Sequence, residues 1–98
     1  MAEIRWTEEA VNWLQNIYEY ISEDSPAAVQ KVVEGIYKKA QILKTFPKIG
    51  YKYRDESDGE IRILLYGHYR IAYIIKQDIV EILGILHGAM KIENYLRY

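Results

Sequence analysis

The sequence predicts an α+β fold: an N-terminal helical hairpin packed on a small, mainly antiparallel sheet. That sheet consists of a short N-terminal strand and a three-stranded C-terminal meander. Two observations predict it. Apolar residues recur at helical spacing through the first half, and after Pro47 the pattern gives way to β-prone segments separated by turn residues. The length sets the scale. With 98 residues and no linker, internal repeat or low-complexity tract, residues 1–98 are expected to form a single domain. A chain of this size buries roughly 60–70% of the surface its unfolded form exposes, so it needs no staple.

Glu3 to Trp6 alternates polar and apolar residues and reads as a short strand. Thr7 then supplies a hydroxyl N-cap, with Glu8 and Glu9 in the first turn, where the macrodipole favours acids. Ala10, Leu14, Ile17 and Ile21 fall on one helical face, and Ser22-Glu23-Asp24 ends the pattern. Ser25 as N-cap and Pro26 at the first helical position open a second helix. Val29, Val32, Val33, Ile36, Ala40 and Leu43 form its apolar stripe, which Pro47 is expected to close. The connection is short, so the two helices should run antiparallel. Ile49–Glu60, with two glycines and the cluster Asp55-Glu56-Ser57-Asp58, reads as mostly loop. Ile61–Tyr66, Tyr69–Ile75 and Ile79–Leu86 are the meander strands, joined at Gly67-His68 and Lys76-Gln77-Asp78. Met90–Tyr98 is a short tail with helical character.

Composition removes several function classes. Cysteine is absent, which excludes disulfides, thiolate metal sites and cysteine nucleophiles. A net charge of −1 argues against a uniformly basic nucleic-acid coat. No apolar run is long enough for a membrane span and Met1–Ala10 lacks a signal-peptide core, so a soluble, cytoplasmic protein is expected. There is no Gly-rich phosphate loop and no cluster with metal-ligand spacing. Neither a cofactor nor a metal is expected.

The charge is nevertheless uneven. Lys38, Lys39, Lys44, Lys48, Lys52 and Arg54 form a run without an acid, and Arg62 and Arg70 follow on the strands. Tyr51, Tyr53, Tyr66 and Tyr69 are interleaved with them. Cations neutralise phosphates and tyrosine rings stack on unpaired bases, so Lys48, Lys52, Arg54 and Arg70 are the candidate nucleic-acid contacts. The alternative is a solvated helix end and loop, with Asp55–Glu60 neutralising Lys52 and Arg54. For catalysis, metal-free RNA cleavage needs a group titrating near neutrality and a cation for the phosphorane. His87 with Arg62 or Arg70 is the one available pairing; otherwise His87 only caps its strand. Trp13, Tyr18 and Tyr20 widen the apolar surface of the first helix, either as core or as a groove for a partner helix.

In order and spacing these residues resemble the RelE/ParE superfamily of toxins from bacterial type II toxin–antitoxin systems. The resemblance covers nearly the whole chain. It runs from Trp6-Thr7 and Trp13-Leu14 through Ser25-Pro26-Ala27-Ala28, then Leu43 with Pro47 and Gly50. It continues with Ile61-Arg62, Gly67, Tyr69-Arg70-Ile71-Ala72-Tyr73, Ile82-Leu83 and His87-Gly88. It implies a growth-inhibiting protein silenced by a cognate antitoxin in a toxin–antitoxin hetero-oligomer, with an antitoxin helix on Trp13, Tyr18 and Tyr20 and an antitoxin strand added at the sheet edge.

The superfamily divides by action. ParE-like members inhibit DNA gyrase without a catalytic residue, whereas RelE-like members cut mRNA on the ribosome. The spacing of Arg62, Gly67 and Tyr69 is closer to the ParE-like pattern. Leu65 stands where RelE carries a catalytic arginine. Catalytic roles for Arg62 and His87 therefore belong to the ribonuclease alternative. After His87-Gly88-Ala89 the family usually continues with arginine; Met90 and Lys91 stand here instead. Those two residues also suggest a third class, a small interaction module without toxicity.

Overall fold

The computed structural model describes residues 1–96 and 98, the side chain of residue 24 excepted. Its strands are β1 (Glu3–Trp6), β2 (Tyr51–Glu56), β3 (Gly59–Tyr66), β4 (Tyr69–Lys76) and β5 (Ile79–His87). They form one sheet in the order β1-β5-β4-β3-β2, with β1 parallel to β5 and every other pair antiparallel. Helices α1 (Glu8–Asp24) and α2 (Pro26–Gln41) cover one face, and a short α3 (Ile92–Tyr95) lies against the other. This is the α+β architecture expected, with one strand more. The Ile49–Glu60 segment is a correction: Tyr51–Glu56 pairs with β3 as an edge strand and the meander has four strands. Acidic residues and glycine masked it, but charged residues suit a sheet edge.

The helix signals act locally as expected at Thr7, whose Oγ1 accepts the Ala10 N–H at 3.1 Å. Ser25 departs from expectation. It starts α2, with Pro26 behind it, but its side chain makes no capping hydrogen bond. The second helix also ends earlier than Pro47, passing at Gln41 into a 3₁₀ turn over Ile42–Lys44 that buries Leu43.

The sheet is covered on both faces, which explains the near-continuous apolar runs Ile71–Ile74 and Ile82–Leu86. On the helix side Ala10, Ile17, Ile36, Ala40 and Leu43 pack on Leu64, Ile71, Tyr73, Val80, Ile82 and Ile85. On the opposite side Ile61, Ile63, Ala72, Ile74, Leu83 and Leu86 are covered by Ile92, with Met90 and Leu96 beside it. The tail is therefore structural. Arg70 ties it down, its Nη2 donating to the carbonyls of Gly88 and Met90. A bulge places Ala72 opposite Gly84 but Tyr73 opposite Ile82, leaving Leu83 as the extra residue. That offset turns Ile85 and His87 toward the helices.

Candidate functional site: the helix-side pocket and the basic edge

Two regions gather the sequence-predicted residues. The first lies where α1 crosses the end of β5. Trp13, Ile17 and Tyr20 from α1, Tyr69 from β4, and Ile85 and His87 from β5 line a pocket of about 190 Å³, with Asn16 and Met90 completing the wall. Trp13 and Tyr20 are seven residues apart, two helical turns, so they share a face. The Trp13 ring meets Tyr95 edge-on at 5.7 Å, and His87 lies against Tyr69 with ring centroids 5.0 Å apart. Burial pushes the Tyr69 hydroxyl above its ordinary pKa, with the Tyr20 hydroxyl adding to the shift. Tyr69 therefore stays a neutral donor at physiological pH. Tyr18 does not join this pocket; it points into the shallow groove between the helices with Val11, Leu14, Gln15 and Val33.

The second region is the β2–β3 edge. Lys52 pairs with Asp55 at 2.9 Å, a hydrogen-bonded contact that raises the ammonium pKa. Arg54 pairs with Glu56 at 2.5 Å and lies 5.7 Å from the centre of the Tyr53 ring. Arg62 is bound to the Glu60 carboxylate and donates to the backbone carbonyls of Lys48 and Gly50. The acids that follow the basic run thus neutralise its strand portion. Lys38, Lys39, Lys44 and Lys48 make no ion pair among the described residues.

The structure does not bring the proposed catalytic pairs together. Arg62 is opposite Tyr73, whereas His87 is opposite Tyr69, four residues along β4 and two strands from β3. At ordinary strand rise and spacing their Cα atoms are on the order of 16 Å apart. Arg70 sits beside His87 in the register, but its side chain is on the tail face while His87 faces the helices. No group of side chains suited to hold a metal occurs among the described residues.

A model of the family described as the ParE toxin of type II toxin-antitoxin system, parDE, matches residues 4–92. The chain belongs to the ParE toxin family. A protein of Sinorhizobium fredii (strain NBRC 101917 / NGR234) named "Putative toxin Y4kP" is 38% identical over 85 residues, covering 87% of this chain and 86% of that one. The ParE fold is reproduced in a solved structure described as the chromosomal ParDE TA system from P. aeruginosa. It has TM-score 0.75 and 23% identity, over 90% of this chain and 97% of that chain. An archaeal RelE-RelB complex from Pyrococcus horikoshii OT3 gives TM-score 0.66 and 16% identity, over 92% and 98%. At these identities both structural likenesses speak to fold.

Within this ParE-family chain, Asn16 and Met90 were not singled out from sequence as site residues, and Tyr69 only as a base-stacking ring beside the basic run, yet all three line the Trp13 pocket. Asn16 could have been found, since Trp13, Asn16 and Tyr20 follow helical spacing. Tyr69 and Met90 could not, because their place depends on the β4–β5 register and the path of the tail. Nor does any helix among the described residues have the length and apolarity to cross a membrane.

Proposed function

We propose that this toxin slows growth by binding DNA gyrase, and that a cognate antitoxin silences it by laying an apolar helix over Trp13 and Tyr20. One observation carries the choice of binding over RNA cleavage. Arg62 and Arg70 are both engaged in holding backbone carbonyls, on opposite faces of the sheet, and neither converges on His87. Acid–base cleavage needs a general base and a phosphate-stabilising cation within reach of one scissile group. The spacing of Arg62, Gly67 and Tyr69 supports the gyrase branch in the same direction.

The antitoxin reading rests on the pocket's chemistry. It is mostly apolar, large enough for one bulky aliphatic or aromatic side chain, and rimmed by the polar groups of Asn16 and Tyr20. Purified protein is expected to block gyrase-driven DNA supercoiling. Unimpaired supercoiling at molar excess refutes the target. The ribonuclease alternative draws on the contact between exposed His87 and half-buried Tyr69. Cleavage of mRNA in a translating extract that His87→Ala abolishes would establish it instead.

A further inference from the structure

Helix α2 and the loop after it concentrate the positive charge of the chain. Residues 26–50 hold five lysines and one acid, Glu34, so they carry +4 in a chain whose total is −1, and the remainder carries −5. Glu34 is turned back along the helix, its carboxylate accepting the Gln30 side-chain amide at 3.0 Å. Lys31, Lys38 and Lys39 make no ion pair among the described residues. Lys31, Gly35, Lys38 and Ile42 follow at spacings of four, three and four and share one helical face, with Lys39 on its flank.

That face borders a groove. Gly35, Lys38, Lys39 and Ile42 line one side of a space of about 310 Å³, and Tyr66 of β3 lines the other. Val33, on the opposite flank of α2, faces the Tyr18 groove of α1, so this site is separate from the helix–helix side. The macrodipole accounts for cations in the last turn of α2, Lys38 and Lys39. It accounts neither for Lys31, two turns earlier, nor for glycine in a helix interior, which it weakens. The reason for Gly35 lies in the groove: a Cβ there would fall 1.8 Å from the Tyr66 hydroxyl. The phenol therefore rests on bare helix backbone beside the two lysines. Its hydroxyl has no hydrogen-bond partner among the described residues.

We propose that this groove is a contact site for the sugar–phosphate backbone of duplex DNA. Lys31, Lys38 and Lys39 neutralise three phosphates, and the Tyr66 hydroxyl donates to one of them. Lys31 and Lys38 are about 10 Å apart along the helix axis, a span that flexible lysine arms adjust to neighbouring phosphates. Such contacts position the duplex and read no sequence. The negative charge of the rest of the chain repels a polyanion elsewhere, so this face leads the approach. The choice of DNA rests on the gyrase reading above, since a toxin seated on gyrase stands beside that enzyme's DNA. The cationic groove itself does not depend on that reading.

The test is fluorescence anisotropy of a labelled duplex of about 20 base pairs with the full chain, without gyrase. Three neutralised phosphates make the affinity about 40-fold weaker at 200 mM salt than at 50 mM, and the pair Lys38→Gln and Lys39→Gln should reduce that response to about fourfold. Tyr66→Phe should keep the wild-type salt response and bind about tenfold more weakly at either salt. Lys91→Gln removes an exposed lysine of the tail and should match wild type. These substitutions are at the surface or nearly isosteric, and thermal unfolding should show every variant folded. A wild-type salt response under about fourfold overturns the inference, as does an unchanged response in the Lys38 and Lys39 variant or an equal loss in Lys91→Gln. Polyglutamate that displaces the duplex at equal charge overturns it too and assigns the groove to an acidic protein. An RNA duplex of the same length bound tenfold more tightly overturns the choice of DNA. Because gyrase is absent, unimpaired supercoiling refutes the target reading without altering these binding results.

Discussion

Replacing Tyr73 by phenylalanine isolates the hydroxyl that shapes the loop entering β2. Tyr73 is the largest fully buried side chain, and its hydroxyl serves two backbone groups, accepting from Gly50 and donating to Pro47. Phenylalanine keeps the ring packed against the helix-side core, so the change removes hydrogen bonding and almost no volume. Gly50 is buried and Pro47 half-buried, so neither group regains a full water partner. A buried backbone group left unsatisfied costs about 1–3 kcal/mol, and water reaching Pro47 offsets part of its share. The expected loss is about 2–3 kcal/mol, or roughly 8–15 °C in Tm for a domain of this size. Urea unfolding with an unchanged m-value, together with faster hydrogen exchange of the Gly50 amide, would assign the loss to this clamp. A loss under about 0.5 kcal/mol, with Gly50 still protected, would refute the reasoning, because the loop would then be held by other contacts. The pH dependence adds a sign. Burial raises the Tyr73 pKa above its usual 10.0. This contribution to stability is fully present below pH 10 and lost as pH rises through the folded pKa, a loss that Tyr73→Phe should not show.

Further outcomes follow from other parts of the fold. Gln77 occupies the β4–β5 turn at φ +52°, the only described non-glycine residue with positive φ. Gln77→Gly should therefore stabilise the chain by a few tenths to about 1 kcal/mol in thermal unfolding, the relief of strain being partly offset by glycine's greater unfolded freedom. Ile92 fills the tail-side core, so Ile92→Ala should cost about 2–4 kcal/mol in urea and raise binding of a hydrophobic dye to the uncovered sheet face. Tyr98 donates to Asp58 at 2.5 Å, and that hydrogen bond, with help from Lys76, holds the Asp58 pKa below its usual 3.8. The depressed pKa stabilises the fold above about pH 3.8 and less as pH falls through it. The Tm advantage of wild type over Asp58→Asn at pH 7 should accordingly close in acid.

Elements that depend on local chemistry were legible in the sequence. Thr7 caps its helix, Pro26 opens the next, and Gly67 takes the positive φ of a two-residue hairpin, each for reasons contained within a few residues. What sequence could not supply was pairing at a distance. The bulge at Leu83 turns His87 toward the helices, and nothing in Ile79–His87 announces it. The clearest case is the basic run. Composition leaves Lys48, Lys52, Arg54 and Arg70 equivalent, but register and turn geometry separate them. Lys52 and Arg54 meet acids within β2, Arg70 secures the tail, and Lys48 alone of the four stays without a side-chain or ion-pair partner among the described residues. A surface pair of this kind contributes little stability. Its consequence here is electrostatic: the strand loses its positive field, and of the four candidates Lys48 is the cation left available, with Lys38, Lys39 and Lys44 unpaired on the helical side of the run. A charge count near zero is thus compatible with a localised cationic surface, and if that surface meets the target, Lys48→Glu should weaken inhibition in the supercoiling assay where Lys52→Glu does not.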